Sequence, residues 1–281
     1  MDPKLVGRLS DFAPPWLRYM LTLSEAARTG QSWVVASGED IGLWDTDAGA
    51  VLPLWPTELL ARQSVSDTDG EATAVPLAEI TERLLPYLIE ADASLSLFPN
   101  FEDDMLVEPD AIAEDLADFA AEPIDIAAEL TIEPVDEAYD EWALLESPEI
   151  EDEEEGWAPE EVTPQPTAER YSTLLAAAAA TGALWLLDDP AEDAVVGIVL
   201  ADRPGVALFP SSAAAMEYAG HVGGDISARP VSVDALVGGW MLVAYGGHWA
   251  VAISPDAETA TFVEPTRFAL DLAEACGAEK P

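Results

Sequence analysis

The sequence predicts an α+β protein in which two tandem copies of one small domain are joined by an acidic linker. Three observations predict it. Two stretches share ordered sequence matches at nearly constant spacing, each alternates helical and strand-like patterns, and acidic residues concentrate between them. The predicted boundaries are residues 1–120 for the first copy, 121–168 for the linker and 169–281 for the second copy.

The internal repeat rests on matches that keep their order along the chain. The offset between the copies grows only in two small steps, from 152 to 154 to 156, as loop insertions would produce. The matched segments are Arg18-Tyr19 with Arg170-Tyr171, Leu54-Trp55-Pro56 with Leu208-Phe209-Pro210, and Val107-Glu108-Pro109 with Val263-Glu264-Pro265. Chance similarity between alanine-rich segments would not preserve this order, so the repeat predicts a tandem duplication.

The first half of each copy predicts a helix followed by three strands. Apolar residues at helical spacing predict helices over 17–29 and 169–181, and Gly30 and Gly182 are the expected stops. Trp33–Val35 is the first predicted strand, and two more follow around a turn. The further strands are Ile41–Trp44 and Val51–Trp55 in the first copy, and Val195–Leu200 and Gly205–Phe209 in the second.

The second half of each copy predicts helices around a strand pair. A proline suits the first turn of a helix, so helices are expected after Pro56 and Pro210. Another helix is expected near Leu77 and Val231 after a short extended piece, followed by a half-buried strand with alternating residues. Short strands reaching Val107 and Val263 then lead into helices that begin at Pro109 and Pro265. Each copy therefore reads α-β-β-β-α-(β)-α-β-β-α.

These motifs carry a resemblance. The segment Thr-Gly-x-x-Trp at 29–33, Leu-Pro-x-Trp-Pro at 52–56, Phe-Pro at 98–99 and Val-x-Pro at 107–109 resemble a family of small bacterial domains of unknown function. The chain is more loosely similar to the N-terminal domain of the enhanced-serine-sensitivity protein family. The resemblance covers most of 16–120, and covers 169–277 less well because Phe209 replaces the motif tryptophan. It implies a fold and a cytoplasmic location, and it transfers no catalytic residue.

Composition excludes several classes of chemistry. Among 281 residues, 55 are acidic and 11 are Lys or Arg, for a net charge of −44. The two lysines, Lys4 and Lys280, lie at the ends, which argues against lysine-dependent catalysis and a P-loop. Direct nucleic-acid binding needs clustered cations, so it is not expected. One cysteine and two histidines predict no disulfide framework, no metal site and no cofactor, and favour a reducing cytoplasm.

Neither a signal peptide nor a membrane span is expected. The first residues lack a long apolar core and a small-residue cleavage pattern. Residues 235–255 contain no Asp, Glu, Lys or Arg, but four glycines and His248 interrupt them. We therefore expect a soluble protein without a membrane partner.

The predicted linker is the most acidic part of the chain. Between Arg83 and Arg170 there are 28 acidic residues and no Lys or Arg. Three interpretations remain open: a solvated spacer, a segment that folds on a partner, or a segment that packs back on its own domains. Tyr139, Trp142 and Leu145 would share one helical face, and they are the candidate partner-binding residues.

A search for catalytic motifs predicts no catalytic residue. The nucleophile elbow, the dinucleotide fingerprint and the zinc-protease helix motif are all missing from the sequence. His248 and Glu264 are candidate pocket residues, although the first copy has no counterpart histidine, and Glu264, like Glu108, also suits a helix N-terminus. Trp55, between Pro53 and Pro56, is either core or an exposed partner contact.

The leading functional hypothesis is a non-enzymatic interaction protein, of an adaptor, regulatory or immunity type, that binds a basic partner through acidic surface and linker. A second hypothesis is a nucleic-acid-mimicking inhibitor of a DNA-binding protein. A third is a small-molecule-binding domain or an enzyme of unknown chemistry. The sequence leaves the oligomeric state open.

Overall fold

A computed structural model describes residues 3–38, 40–47, 49–64, 70–99, 105–133, 135–138, 167–190, 194–200, 203–222, 226–256 and 259–277. Helices and strands are mixed along the chain, which gives the predicted α+β class. The chain divides into two compact units, Met1–Thr131 (unit 1) and Ile132–Pro281 (unit 2).

Unit 1 alternates helices with short strands, and one turn of π-helix interrupts its helical region before residue 85. Its elements in chain order are α1 (Pro3–Phe12), α2 (Pro15–Thr29), β1 (Gln31–Ser37), β2 (Asp40–Ile41), β3 (Trp44–Thr46), β4 (Gly49–Leu54), α3 (Glu58–Ser64), β5 (Glu71–Pro76), α4 (Leu77–Glu79), π1 (Ile80–Leu84), α5 (Leu85–Glu90), β6 (Ser94–Leu97), β7 (Leu106–Val107), α6 (Pro109–Ala121) and α7 (Ile126–Glu129).

Two sheets of unit 1 enclose its core. One has the order β2-β1-β5, and the other has the order β3-β4-β6-β7 with a parallel β4-β6 pair. Trp33 and Trp55 join them through two backbone hydrogen bonds, of 3.0 and 2.9 Å. Buried aliphatic residues from α2, β4, β6 and α6 form the core between the sheets and helices. Burial of this apolar surface provides most of the stabilising free energy of such a unit.

Local sequence explains where the second helix begins and ends. Pro15 occupies the first turn of α2, where a missing N–H costs nothing. Gly30 follows the helix with φ of 72°, a left-handed conformation that other residues adopt at a cost. Its N–H donates to Ala26 at 2.9 Å, which closes the last turn as the sequence predicts.

Unit 2 contains the same kinds of element, and its first strand comes from the predicted linker. Its elements are β8 (Val135–Ala138), α8 (Thr167–Thr181), β9 (Ala183–Asp189), β10 (Ala194–Val195), β11 (Gly197–Leu200), β12 (Arg203–Leu208), α9 (Ser212–Val222), β13 (Ser227–Ser232), α10 (Val233–Ala235), π2 (Leu236–Trp240), α11 (Met241–Gly246), β14 (Ala250–Ile253), β15 (Thr259–Val263) and α12 (Pro265–Gly277).

The sheets of unit 2 have the orders β10-β9-β13 and β11-β12-β14-β15-β8. A bridge between Trp185 and Phe209 joins them, at the place where Trp33 and Trp55 join the sheets of unit 1. The parallel pair β12-β14 corresponds to β4-β6. A π-helical turn lies before α11 as it does before α5, a feature that hydrophobic periodicity did not predict.

Part of the predicted linker forms a short helix and a strand that belong to the two units. Asp125 caps α7 by accepting a 3.0 Å hydrogen bond from the Ala128 N–H, and Ile126 and Leu130 are buried as α7 packs on α2. Strand β8 pairs antiparallel with β15. These stretches pack on the chain's own units, as one of the three interpretations held, whereas Tyr139, Trp142 and Leu145 lie outside the described residues.

The residues that the structure describes include no helix long and apolar enough to cross a membrane. The uncharged stretch 235–255 is divided there among a π-turn, a short helix and a strand.

A tyrosine–aspartate pair links the first and last long helices of unit 1. Tyr19 on α2 donates a hydrogen bond from its hydroxyl to Asp115 on α6. Burial raises the pKa of the Tyr19 hydroxyl well above its usual value, and the hydrogen bond and negative charge of Asp115 raise it further. The folded unit therefore holds this proton at a pH where an unfolded tyrosine releases it.

This pair predicts a loss of stability in alkali. Above about pH 10 the unfolded chain binds fewer protons than the folded chain, so the free energy of unfolding falls as pH rises. We expect urea denaturation between about pH 9 and pH 11 to show a steeper decline for the wild-type protein than for Tyr19→Phe. Parallel declines in the two proteins would contradict the assigned role of the pair.

Candidate interaction site

Helix α5 ends in a tight turn that leads into β6. Asp92 lies in this turn with φ of 52°, a left-handed conformation that costs a non-glycine residue about 1 kcal/mol. Backbone hydrogen bonds hold the turn: the Ala91 N–H donates to the Tyr87 carbonyl and the Ala93 N–H to the Leu88 carbonyl, both at 2.9 Å, and the Asp92 N–H donates to the Ile89 carbonyl at 3.3 Å. The Asp92 side chain is exposed as a result.

A second acidic turn connects β7 to α6. Glu108 precedes the helix in an extended conformation, and Pro109 occupies its first position. Asp110 follows in the first helical turn, and both carboxylates are exposed. Negative charge is favoured at a helix N-terminus, so the acidic pair is stable there even without a partner.

The two turns border one cleft, because α5 packs against α6. The cleft has a volume of about 330 Å³. Its lining residues are Leu88, Ile89, Asp92, Ala93, Ser94, Glu108, Pro109 and Asp110. Three of these eight carry carboxylates and none is basic, so the cleft attracts a cationic group and repels an anion.

An exposed apolar side chain lines this acidic cleft. Ile89 lines the cleft and remains half exposed, and Tyr87 on the same helix is more than half exposed. Exposed apolar residues next to charged groups are typical of protein-interaction surfaces, where the apolar side chain supplies buried area and the charge supplies orientation. The combination suits the aliphatic stem and charged head of a lysine or arginine side chain.

The corresponding turns of unit 2 contain the two predicted pocket residues. His248 follows α11 with φ of 55°, at the position of Asp92, and its side chain is exposed. Glu264 directly precedes α12, at the position of Glu108, and is half-buried. At the position of Asp110, unit 2 has the buried Thr266. Unit 2 therefore presents fewer carboxylates at this place than unit 1.

The structure corrects the interpretation of Trp55 as an exposed partner contact. Its side chain is 1% exposed, and its ring packs edge-on against Trp44 with centroids 5.7 Å apart. The flanking prolines suggested a surface position, but the backbone bridge to Trp33 draws Trp55 between the two sheets. Trp55 is a core residue.

Sequence reasoning missed the cleft as a site. Glu108 was assigned to helix stabilisation alone, and Asp92 and Asp110 were not singled out. One signal was available, because the 156-residue offset aligns Asp92 with His248 and Glu108 with Glu264. Within the described ranges, no group of three or more His, Cys, Asp or Glu side chains is arranged to hold a metal ion, and this includes the cleft carboxylates.

Comparisons with protein-family models, with curated proteins and with solved structures found no match to this chain. The resemblance to small bacterial domains therefore stays a prediction.

Proposed function

We propose that this chain is a non-enzymatic interaction protein that binds a basic protein partner, with the acidic cleft of unit 1 as its docking point. The observation that carries the proposal is the cleft lined by Asp92, Glu108 and Asp110 without a basic residue. A lysine or arginine of the partner would pair with these carboxylates while Ile89 contacts its apolar neighbours. The rest of the chain's −44 charge would steer the encounter.

We also propose that the two units arose by tandem duplication. Strand orders that match apart from the added β8, parallel pairs at β4-β6 and β12-β14, and π-turns before α5 and α11 support this origin. Under this proposal, the two copies have diverged at the cleft. Unit 1 would serve as the docking module, and unit 2 would have a lower affinity for cations.

Residues 139–166 would contribute a second, long-range attraction. They contain 11 acidic residues and no basic one, together with the candidates Tyr139, Trp142 and Leu145. A partner held at the cleft would meet this segment at high effective concentration, which strengthens binding even when each contact is weak.

The proposal predicts that cleft charge, and not charge in general, controls affinity. We expect Asp92→Asn/Glu108→Gln/Asp110→Asn to weaken binding of a partner purified from the native host by about tenfold or more. Asn tolerates the left-handed conformation at residue 92, which limits structural damage. The matched control is Glu114→Gln/Asp118→Asn/Glu122→Gln, which removes the same charge from exposed positions on and just after α6.

Affinity purification followed by titration tests this prediction. A further variant replaces residues 139–166 by a Gly/Ser sequence of equal length, which leaves α7 and β8 in place. Equal losses in the cleft and control variants would argue against the cleft, and an association rate independent of salt would argue against a basic partner. Release of the partner by duplex DNA would instead support the nucleic-acid-mimicking inhibitor.

A further inference from the structure

An added strand completes the larger sheet of unit 2. Strand β8 pairs antiparallel with β15 over four residue pairs, from Thr259 with Ala138 to Phe262 with Val135. Strand β15 thereby has a partner on both sides, β14 and β8. An edge strand exposes unpaired N–H and C=O groups, and β8 covers them.

The corresponding edge of unit 1 ends at β7. Strand β7 pairs with β6 in the same register as β15 with β14, since Ser96 opposes Leu106 where Ala252 opposes Phe262. Within the described ranges, β7 is the last strand of its sheet.

Side-chain exposure marks the difference between the two edges. Thr261 and Phe262 on β15 are 0% and 2% exposed. Met105 and Leu106, at the corresponding positions of unit 1, are 42% and 39% exposed. A short edge with two exposed apolar residues can accept a further strand, as β15 does.

We propose that β7 is a docking site for an extended, basic segment of the partner, added antiparallel as β8 is added to β15. This inference rests on the proposed function and names how the partner binds. Leu106-Val107 runs directly into Glu108 and Asp110 of the cleft, so a strand paired with β7 would bring its lysines or arginines to these carboxylates.

Charge decides between this occupant and a second copy of the chain. The chain's own edge strand contains Asp136 and Glu137, and residues 102–104 next to β7 in the sequence are Glu-Asp-Asp. A second acidic strand paired with β7 would bring like charges close to the carboxylates of the cleft, which is destabilising. A basic strand reverses the sign of this interaction.

Two peptides of equal charge test the proposal on the full chain. The first is a fluorescein-labelled eight-residue peptide of alternating lysine and valine. The second is the same peptide N-methylated at two adjacent central residues, which blocks backbone pairing on both edges. At about 150 mM salt we expect the methylated peptide to bind about tenfold more weakly by fluorescence anisotropy. Only the first peptide should slow deuterium uptake at residues 105–107, and uptake at 259–263 should stay unchanged.

The outcomes separate this inference from the proposed function. If both peptides bind equally and the triple cleft variant weakens both, charge attraction stands and strand addition is overturned. If neither peptide binds, strand addition is overturned, and partner retention by the wild-type protein decides the proposed function separately. A concentration-dependent dimer that protects residues 105–107 without peptide would make a second copy the occupant and overturn the proposal.

Discussion

We expect Trp55→Ala to lower the free energy of unfolding of unit 1 by about 3–5 kcal/mol. The indole is fully buried, and it packs against Trp44 where the two sheets of unit 1 meet. Its truncation would leave a cavity between sheets that few neighbouring side chains can fill. The backbone bridge to Trp33 and the 2.8 Å hydrogen bond from the Ser32 hydroxyl to the Trp55 carbonyl would remain, but they would join poorly packed layers.

Two further variants give this prediction its controls. Trp55→Phe should cost much less, because phenylalanine occupies the corresponding position, Phe209, in unit 2. Tyr87→Ala removes an aromatic ring of similar size from an exposed helix position, so it should change stability by about 0.5 kcal/mol or less. Segment-resolved hydrogen exchange in increasing urea measures unit 1 separately from unit 2. An equal loss for Trp55→Ala and Tyr87→Ala would contradict the core assignment of Trp55.

Signals that are local in sequence predicted several of the elements, although α1 was not predicted and the strand expected at Ile41–Trp44 is divided between β2 and β3. Gly30 and Gly182 end helices, Trp33–Val35 lies in a strand, and α6 begins at Pro109, because each of these features depends on a few neighbouring residues. The π-turns were not predicted. The 80–84 segment has ordinary helical composition, whereas 236–240 contains Gly238 and Gly239, so the two segments share no local signal for the wider turn.

Features that depend on long-range contacts were not predicted from the sequence. The sequence left Trp55 open between core and exposed contact, and the pairing with Trp33, 22 residues earlier in the chain, places it in the core. The cleft joins Asp92 to Glu108 and Asp110, which no spacing rule brings together. The start of the predicted linker packs on α2 because Ile126 on α7 and Leu130 just after it, four residues apart, are both buried.

The second large effect is expected in unit 2, where Asp271 is the acceptor for two groups. Its Oδ2 accepts hydrogen bonds from the Tyr171 hydroxyl at 2.7 Å and from Arg267 Nε at 2.6 Å, and its side chain is 8% exposed. We expect Asp271→Ala to lower the free energy of unfolding of unit 2 by about 3 kcal/mol, because it leaves a largely buried guanidinium without its nearest carboxylate. Another acid, Glu133, is exposed, and its Oε1 lies 3.8 Å from Arg267 Nη1.

Unit 1 provides the matched comparison for this pair. Asp115 accepts a hydrogen bond from Tyr19 in the same way, but Ala111 occupies the position that corresponds to Arg267. Asp115→Ala therefore removes the acceptor of a neutral hydroxyl and does not break an ion pair with residue 111. Its cost should therefore be smaller, about 1–2 kcal/mol. In unit 2, Arg267→Ala/Asp271→Ala should recover part of the loss of Asp271→Ala, since the stranded charge is gone. If the double variant lost as much free energy of unfolding as the two single variants together, the unpaired Arg267 charge would not explain the loss. Lost packing of α12 against α8 would then be the cause.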